Sequence, residues 1–100
     1  MPSLKMSVPH TLDRDVAASR LKNFIAKMQS QFGGQVKNMK ESWQDYTGTF
    51  SFEVMGMSLS GVLNIEPTEV RMEGQFPMAA VPFKGKIESA MRERITELLS

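Results

Sequence analysis

The chain contains no cysteine, and only one histidine, one tryptophan and one tyrosine among its 100 residues. Without cysteine there is no disulfide framework, no thiolate nucleophile and no cysteine-based metal site, although the absence does not decide the compartment. The lone His10 is the only imidazole that could activate a serine, and no serine lies in a nucleophile elbow. No apolar run approaches a membrane span, and Met1-Pro2-Ser3-Leu4-Lys5-Met6 lacks the apolar core of a signal peptide. Neither sign of charge is in excess: a net charge of +1 gives no long-range field to recruit nucleic acid or an anionic membrane. The expectation is a cytoplasmic protein of bacterial type with no catalytic residue, no cofactor and no metal.

The length predicts a single α+β domain over residues 1–100, a size that buries roughly two-thirds of the unfolded surface. With 41% hydrophobic and 23% charged residues the composition is that of an ordinary globular protein. Nine methionines are many for this length, and methionine both fills irregular core gaps and serves adaptable apolar binding surfaces.

The strongest pattern runs from Thr49 to Phe76, where apolar and polar residues alternate in three passes separated by turns. Phe50, Phe52 and Val54, then Met57, Leu59, Gly61, Leu63 and Ile65, then Val70, Met72, Gly74 and Phe76 fall on one face. Ser51, Glu53, Ser58, Ser60, Asn64, Glu69, Arg71, Glu73 and Gln75 fall on the other, as in an antiparallel sheet with one wet face. Leu4, Met6 and Val8 make a first strand closed by Pro9. Asp13 reads as a helix N-cap with Asp15 in the first turn, and Ala17, Leu21, Phe24, Ile25, Met28 and Phe32 form one helical stripe. Gly33-Gly34 predicts a left-handed helix end. Val36 to Trp43 is a strand interrupted by Lys37, Lys40 and Glu41, as an edge strand or a bulge would be. Gln44 to Gly48, Gly56 and Glu66-Pro67-Thr68 mark turns, Met78 to Pro82 an irregular apolar connector, and Ile87, Ala90, Met91, Ile95 and Leu98 a final helical stripe. The predicted architecture is two-layered: order β-α-β-β-β-β-α, a curved antiparallel sheet with two helices packed on one face, resembling a shortened helix-grip domain. Leu21, Phe24, Met28, Phe52, Leu59, Leu63, Met72, Ile87, Met91 and Ile95 are expected in one core.

Candidate chemistry is sparse. His10 lies between Pro9 and Thr11 at the strand-to-helix corner, where it reads as capping or solvent-facing and dispensable for folding. Glu53, Glu69 and Glu73 fall among Ser, Arg and Gln on the wet parity. Gly33-Gly34 follows a helix, the wrong polarity for a phosphate loop, and Lys84-Gly85-Lys86 at a helix entrance reads first as surface charge. The sheet aromatics share the core parity, which argues against stacking on nucleic acid. Trp43 stays open between a core-edge residue and, beside Tyr46, a contact residue on a recognition turn. Met55 and Met57 at a hairpin tip, and Met78, Val81 and Phe83 in the connector, are apolar where turns are usually polar, and complete the candidate interaction surface. The connector folding over the open edge of the core is the plainer alternative.

These residues also carry a resemblance. His10-Thr11-Leu12 through Ala17, Arg20 and Leu21, then Ser42-Trp43 followed by Asp45, is similar to the opening and the tryptophan turn of the polyhydroxyalkanoic acid system family, with Gln44 where a glycine is expected. Phe50-Ser51-Phe52, Gly56 and Gly61-Val62-Leu63 resemble its central hairpins, and Phe76-Pro77 with Phe83-Lys84-Gly85-Lys86-Ile87-Glu88 its strand-to-helix junction. Membership implies an association with storage-polyester metabolism or granules and no assigned active-site residue. The favoured expectation is a non-enzymatic accessory protein, cytoplasmic or granule-associated, binding an apolar ligand, a polyester granule surface or a granule protein, with a homodimer also open. The alternative is a small enzyme or carrier for hydroxyacyl or lipid-like substrates in a helix–sheet cavity.

Overall fold

A computed structural model describes residues 2–100, the side chain of Phe32 excepted. The elements follow the predicted order: β1 Ser3–Pro9, α1 Arg14–Phe32, β2 Val36–Gln44, β3 Thr47–Val54, β4 Met57–Ile65, β5 Glu69–Gln75, a 3-10 segment Met78–Phe83, and α2 Lys84–Leu99. The strands form one antiparallel sheet in the order β1-β5-β4-β3-β2. Phe50 pairs with Gly61, Phe52 with Leu59 and Leu63 with Met72, so the alternating apolar residues share one face as their parity requires. Both helices cover that face, α2 lying beside β1 and α1 beside α2 and β4.

Local chemistry explains most boundaries. Asp13 caps α1, its carboxylate accepting from the Asp15 N–H at 2.9 Å. β2 is both an edge strand and bulged between Lys37 and Lys40, with Asn38 in the left-handed region (φ 54°). The hairpin after β2 is tighter than predicted: Gln44 already pairs with Thr47, so Thr47 and Gly48 belong to β3. Gly48 is needed there because a Cβ would come within 2.8 Å of the Trp43 ring that lies over it. Gly33 does not end α1 in a left-handed turn; it stays right-handed (φ −56°), and a Cβ would approach the Gln29 carbonyl to 2.9 Å. That glycine serves close approach instead of handedness. The connector, expected to be irregular, is a 3-10 helix anchored by buried Ala80.

The packed core is drawn largely from residues other than the ten predicted, of which only Leu21, Leu63 and Ile95 are buried. Ala17, Ala18 and Leu21 of α1 and Ile95 and Leu99 of α2 enclose Val8, Leu63, Ile65 and Val70. A second cluster of Leu4, Met6, Phe76 and Ala80 lies under the 3-10 segment, with Met57, Leu59, Met72 and Met91 against it. Phe24, Phe52, Leu59, Met72 and Met91 are only half-buried, and Met28 and Ile87 are exposed. Phe32 of the predicted stripe has its side chain outside the described residues. The second half of α1 meets the edge strand through polar bridges, Gln29 donating to Glu41 at 3.3 Å and the Lys22 ammonium sitting 4.8 Å above the Trp43 ring. Phe52, Val54 and Met39 beneath this half of the helix are half-covered.

His10 is buried, not solvent-facing. Its Nδ1 accepts from the Leu12 N–H at 3.1 Å, so the neutral ring carries its proton on Nε2 and donates to the Glu66 carbonyl at 3.0 Å. Its own backbone N–H donates to the Thr68 carbonyl at 2.9 Å. The imidazole therefore pins the start of α1 to the β4–β5 hairpin. His10→Ala leaves a buried donor and acceptor unpaired and is expected to cost about 1–3 kcal/mol, read as a lower urea midpoint. An unchanged midpoint would return His10 to the dispensable role expected from the sequence.

Candidate functional site

The strand register gives the sheet two ends. At one, Ile65, Val70, Val8 and the Asp45-Tyr46 turn surround the main core; at the other lie the β3–β4 hairpin, the C-terminus of α1, the 3-10 segment and the first turn of α2. The described residues include seven large apolar side chains exposed to solvent, and six of them, Met28, Met55, Met78, Val81, Phe83 and Ile87, stand at this second end. Only Val16 is elsewhere. Met55 is 88% exposed, Met78 73% and Phe83 58%, values that no packing role explains. Clustered exposed apolar residues mark contact surfaces.

Met55 is also the wrong residue for its backbone. Val54 pairs with Met57, so Met55 and Gly56 are the two loop residues, and both have positive φ, 53° and 77°. A loop of that kind favours Asn-Gly or Asp-Gly, because long side chains disfavour the left-handed region. Asn38 and Asp45, the other non-glycine residues with positive φ, obey that preference; Met55 does not. A strained apolar tip points to selection for the side chain rather than for the turn.

The candidate residues divide between the two ends. Met55, Met78, Val81 and Phe83 are exposed on elements at the open end, as are Met28 and Ile87, which the helical stripes alone would assign to the core. Met57 is not an exposed tip residue: it is half-buried against the second cluster. Trp43 and Tyr46 pack against the main core, away from the open end. The Trp43 indole meets Phe50 edge-on at 5.7 Å and donates to Glu41 at 2.6 Å. Tyr46 lies under the Arg14 guanidinium, 3.9 Å from ring centre, and donates to Asp15 at 2.5 Å. That hydrogen bond to a carboxylate raises the Tyr46 pKa, so the phenol is held protonated and is no base. In the 3-10 segment Ala80 is buried in the second cluster while Met78, Val81 and Phe83 are exposed.

The hollows are of another kind. One, of about 670 Å³, crosses the polar face along β1, β5 and β4, where Lys5, Arg71, Glu73 and Arg92 line it. Another, of about 500 Å³, lies between α1 and the β2–β3 turn, lined by Asp15, Ser19, Lys22 and Tyr46. Both are open and polar, unlike an enclosed helix–sheet cavity. Among the described residues no three His, Asp or Glu side chains converge as metal ligands, and no helix is long and apolar enough to cross a membrane. The central apolar face has its own gap: Gly61 and Gly74 pair across β4 and β5, and a Cβ on either would meet only backbone of the sheet within 4 Å.

No curated protein matches the chain. Among solved structures, the crystal structure of TTHA0849 from Thermus thermophilus is similar at a TM-score of 0.38 and 10% identity, over 98% of this chain and 92% of that one. The family model described as "Putative polyhydroxyalkanoic acid system protein" matches residues 4–99, nearly the entire chain. That span covers both helices, all but the first residue of the sheet and the whole apolar end, and the chain belongs to the polyhydroxyalkanoic acid system family.

Proposed function

We propose that this protein is a non-enzymatic accessory component of polyhydroxyalkanoate metabolism that attaches to an apolar surface, the storage polyester itself, through its open end. The observation that carries the reading is the gathering of six exposed large apolar side chains on four separate elements at one end of the sheet. Residues so far apart in sequence share a surface only through the fold, and no internal packing requires them outside. On this reading the chain is cytoplasmic and associated with granules. A second reading, a carrier or small enzyme for a hydroxyacyl or lipid-like chain, draws on the uncovered floor at Gly61 and Gly74.

The test uses a tagged chain in polyester-storing cells and in sedimentation with lipid-free polyester particles. The unaltered chain is expected on the particles; Val81→Asp, folded by circular dichroism, is expected to be diffuse and unsedimented. Met55→Asn supplies the sharper contrast. It relaxes the hairpin and should raise stability by about 0.5–1 kcal/mol while weakening attachment. Soluble, folded Val81→Asp protein that sediments as well as the unaltered chain would sink the surface reading. Saturable one-to-one binding of a hydroxyacyl chain, unaffected by either substitution, would favour the carrier.

A further inference from the structure

Folding makes the methionines chemically unequal. Met6 is buried in the second core cluster, and Met57, Met72 and Met91 pack against it half-covered. Met39 is half-covered on β2. Met55 and Met78, in contrast, are 88% and 73% exposed and belong to neither packed cluster. Met28 follows at 37%. Among the described residues, the thioethers most open to a dissolved oxidant are therefore those of the open end, and the two most open have no part in the core. Hydrogen peroxide converts a thioether to its sulfoxide. A sulfur lone pair attacks one peroxide oxygen, the S–O bond forms as the O–O bond breaks, and the departing hydroxide takes a proton to become water. The sulfur gives up two electrons and the peroxide gains them. The product is a polar side chain where an apolar one stood.

We infer that Met55 and Met78 form a methionine-oxidation site through which a peroxide releases the open end from its surface, reversibly and without unfolding the chain. This inference rests on the apolar-attachment reading and adds its regulation. A polyester presents ester oxygens, which accept hydrogen bonds, and no N–H or O–H groups along its backbone. A sulfoxide oxygen is also an acceptor, so contact strips its water and returns no partner, a cost that a thioether does not carry. The two methionines stand on separate elements, the β3–β4 hairpin and the 3-10 segment, so oxidation spoils two points of contact. The fold does not oppose the change, because neither side chain packs in a cluster. Oxidation of Met6 or Met72 instead places a dipole in the packed interior. Attachment and oxidation also exclude each other, since a seated chain covers both sulfurs and peroxide acts on the free one. A methionine sulfoxide reductase restores the thioether.

The experiment treats the full chain with dilute hydrogen peroxide, locates the added oxygen by peptide mass spectrometry, and sediments treated and untreated chains with lipid-free polyester particles. Met55 and Met78 are expected to gain one oxygen each before Met6, Met39, Met57, Met72 and Met91 do, and more slowly when the particles are present. Attachment is expected to weaken at least about tenfold with the circular dichroism spectrum unchanged, and to recover after a methionine sulfoxide reductase is added. The pair Met55→Leu with Met78→Leu removes both sulfurs, so the same peroxide treatment is expected to leave that variant's own sedimentation where it started. Three results overturn the inference and leave the attachment reading standing: oxygen spread evenly over the methionines, an oxidised chain that sediments as well as the untreated one, or a double variant that peroxide releases as it does the unaltered chain. An untreated chain that does not sediment with the particles overturns both.

Discussion

Leu21→Ala is expected to lower stability by about 3–5 kcal/mol, while Phe52→Ala costs only about 1–1.5 kcal/mol. Leu21 is 1% exposed, enclosed by both helices and by Leu63, Ile65 and Val70, so truncation leaves a cavity that the surrounding backbone cannot close. Phe52 shares the same sheet face but belongs to neither packed cluster and is only partly covered. Its truncation forfeits a partial transfer free energy and creates no enclosed void. A domain of this size has roughly 5–15 kcal/mol of stability in total, so the first variant loses a large fraction of it and the second does not. Urea denaturation of the two variants decides the matter. Equal losses would mean that α1 closes over Phe52 in solution and that the half-covered face does not exist.

Trp43→Ala is expected to cost about 2–3 kcal/mol, below the range for a fully buried tryptophan because the residue is only partly buried. The indole joins three things no other side chain joins: the edge of Phe50, the Lys22 ammonium and the Glu41 carboxylate. It also covers Gly48, where any other residue would strike the ring. Removing it exposes backbone on the edge strand and leaves Glu41 with Gln29 as its remaining partner. Thermal denaturation followed by circular dichroism reads the loss, since the fluorophore itself is gone. A loss below about 0.5 kcal/mol would assign Trp43 to recognition instead of to the edge of the core.

The two variants differ because coverage, unlike orientation, is not local. Phe50, Phe52, Leu59 and Leu63 show their common face in an alternation of period two, which needs nothing beyond the chain itself. The bulged edge strand is legible too, in lysines that interrupt both faces of β2. Met28 and Ile87 are misplaced by sequence alone because a helical stripe says which side of a helix faces inward and not how far inward it reaches. That reach depends on how α1 and α2 pack against the sheet, through residues remote in sequence. Gly33-Gly34 misleads for a related reason: glycine permits a left-handed turn without requiring one, and here the approach of the Gln29 carbonyl is what demands it. His10 looks dispensable in the sequence because its decisive partner, the Glu66 carbonyl, lies 56 residues away.

The sequence by itself determined the element order, the parity of β1, β3, β4 and β5, the N-cap at Asp13 and, through dispersed residues, the family. Each of these is written in spacing or in the chemistry of one or two neighbours. Only the tertiary structure decided which half of the apolar face is packed and which is left open. It also decided that Met28, Met55, Met78, Val81, Phe83 and Ile87 are exposed on elements that meet at one end of the sheet. Distances between elements are set by side chains that meet across the fold, so a surface assembled from four elements has no counterpart in any stretch of the chain.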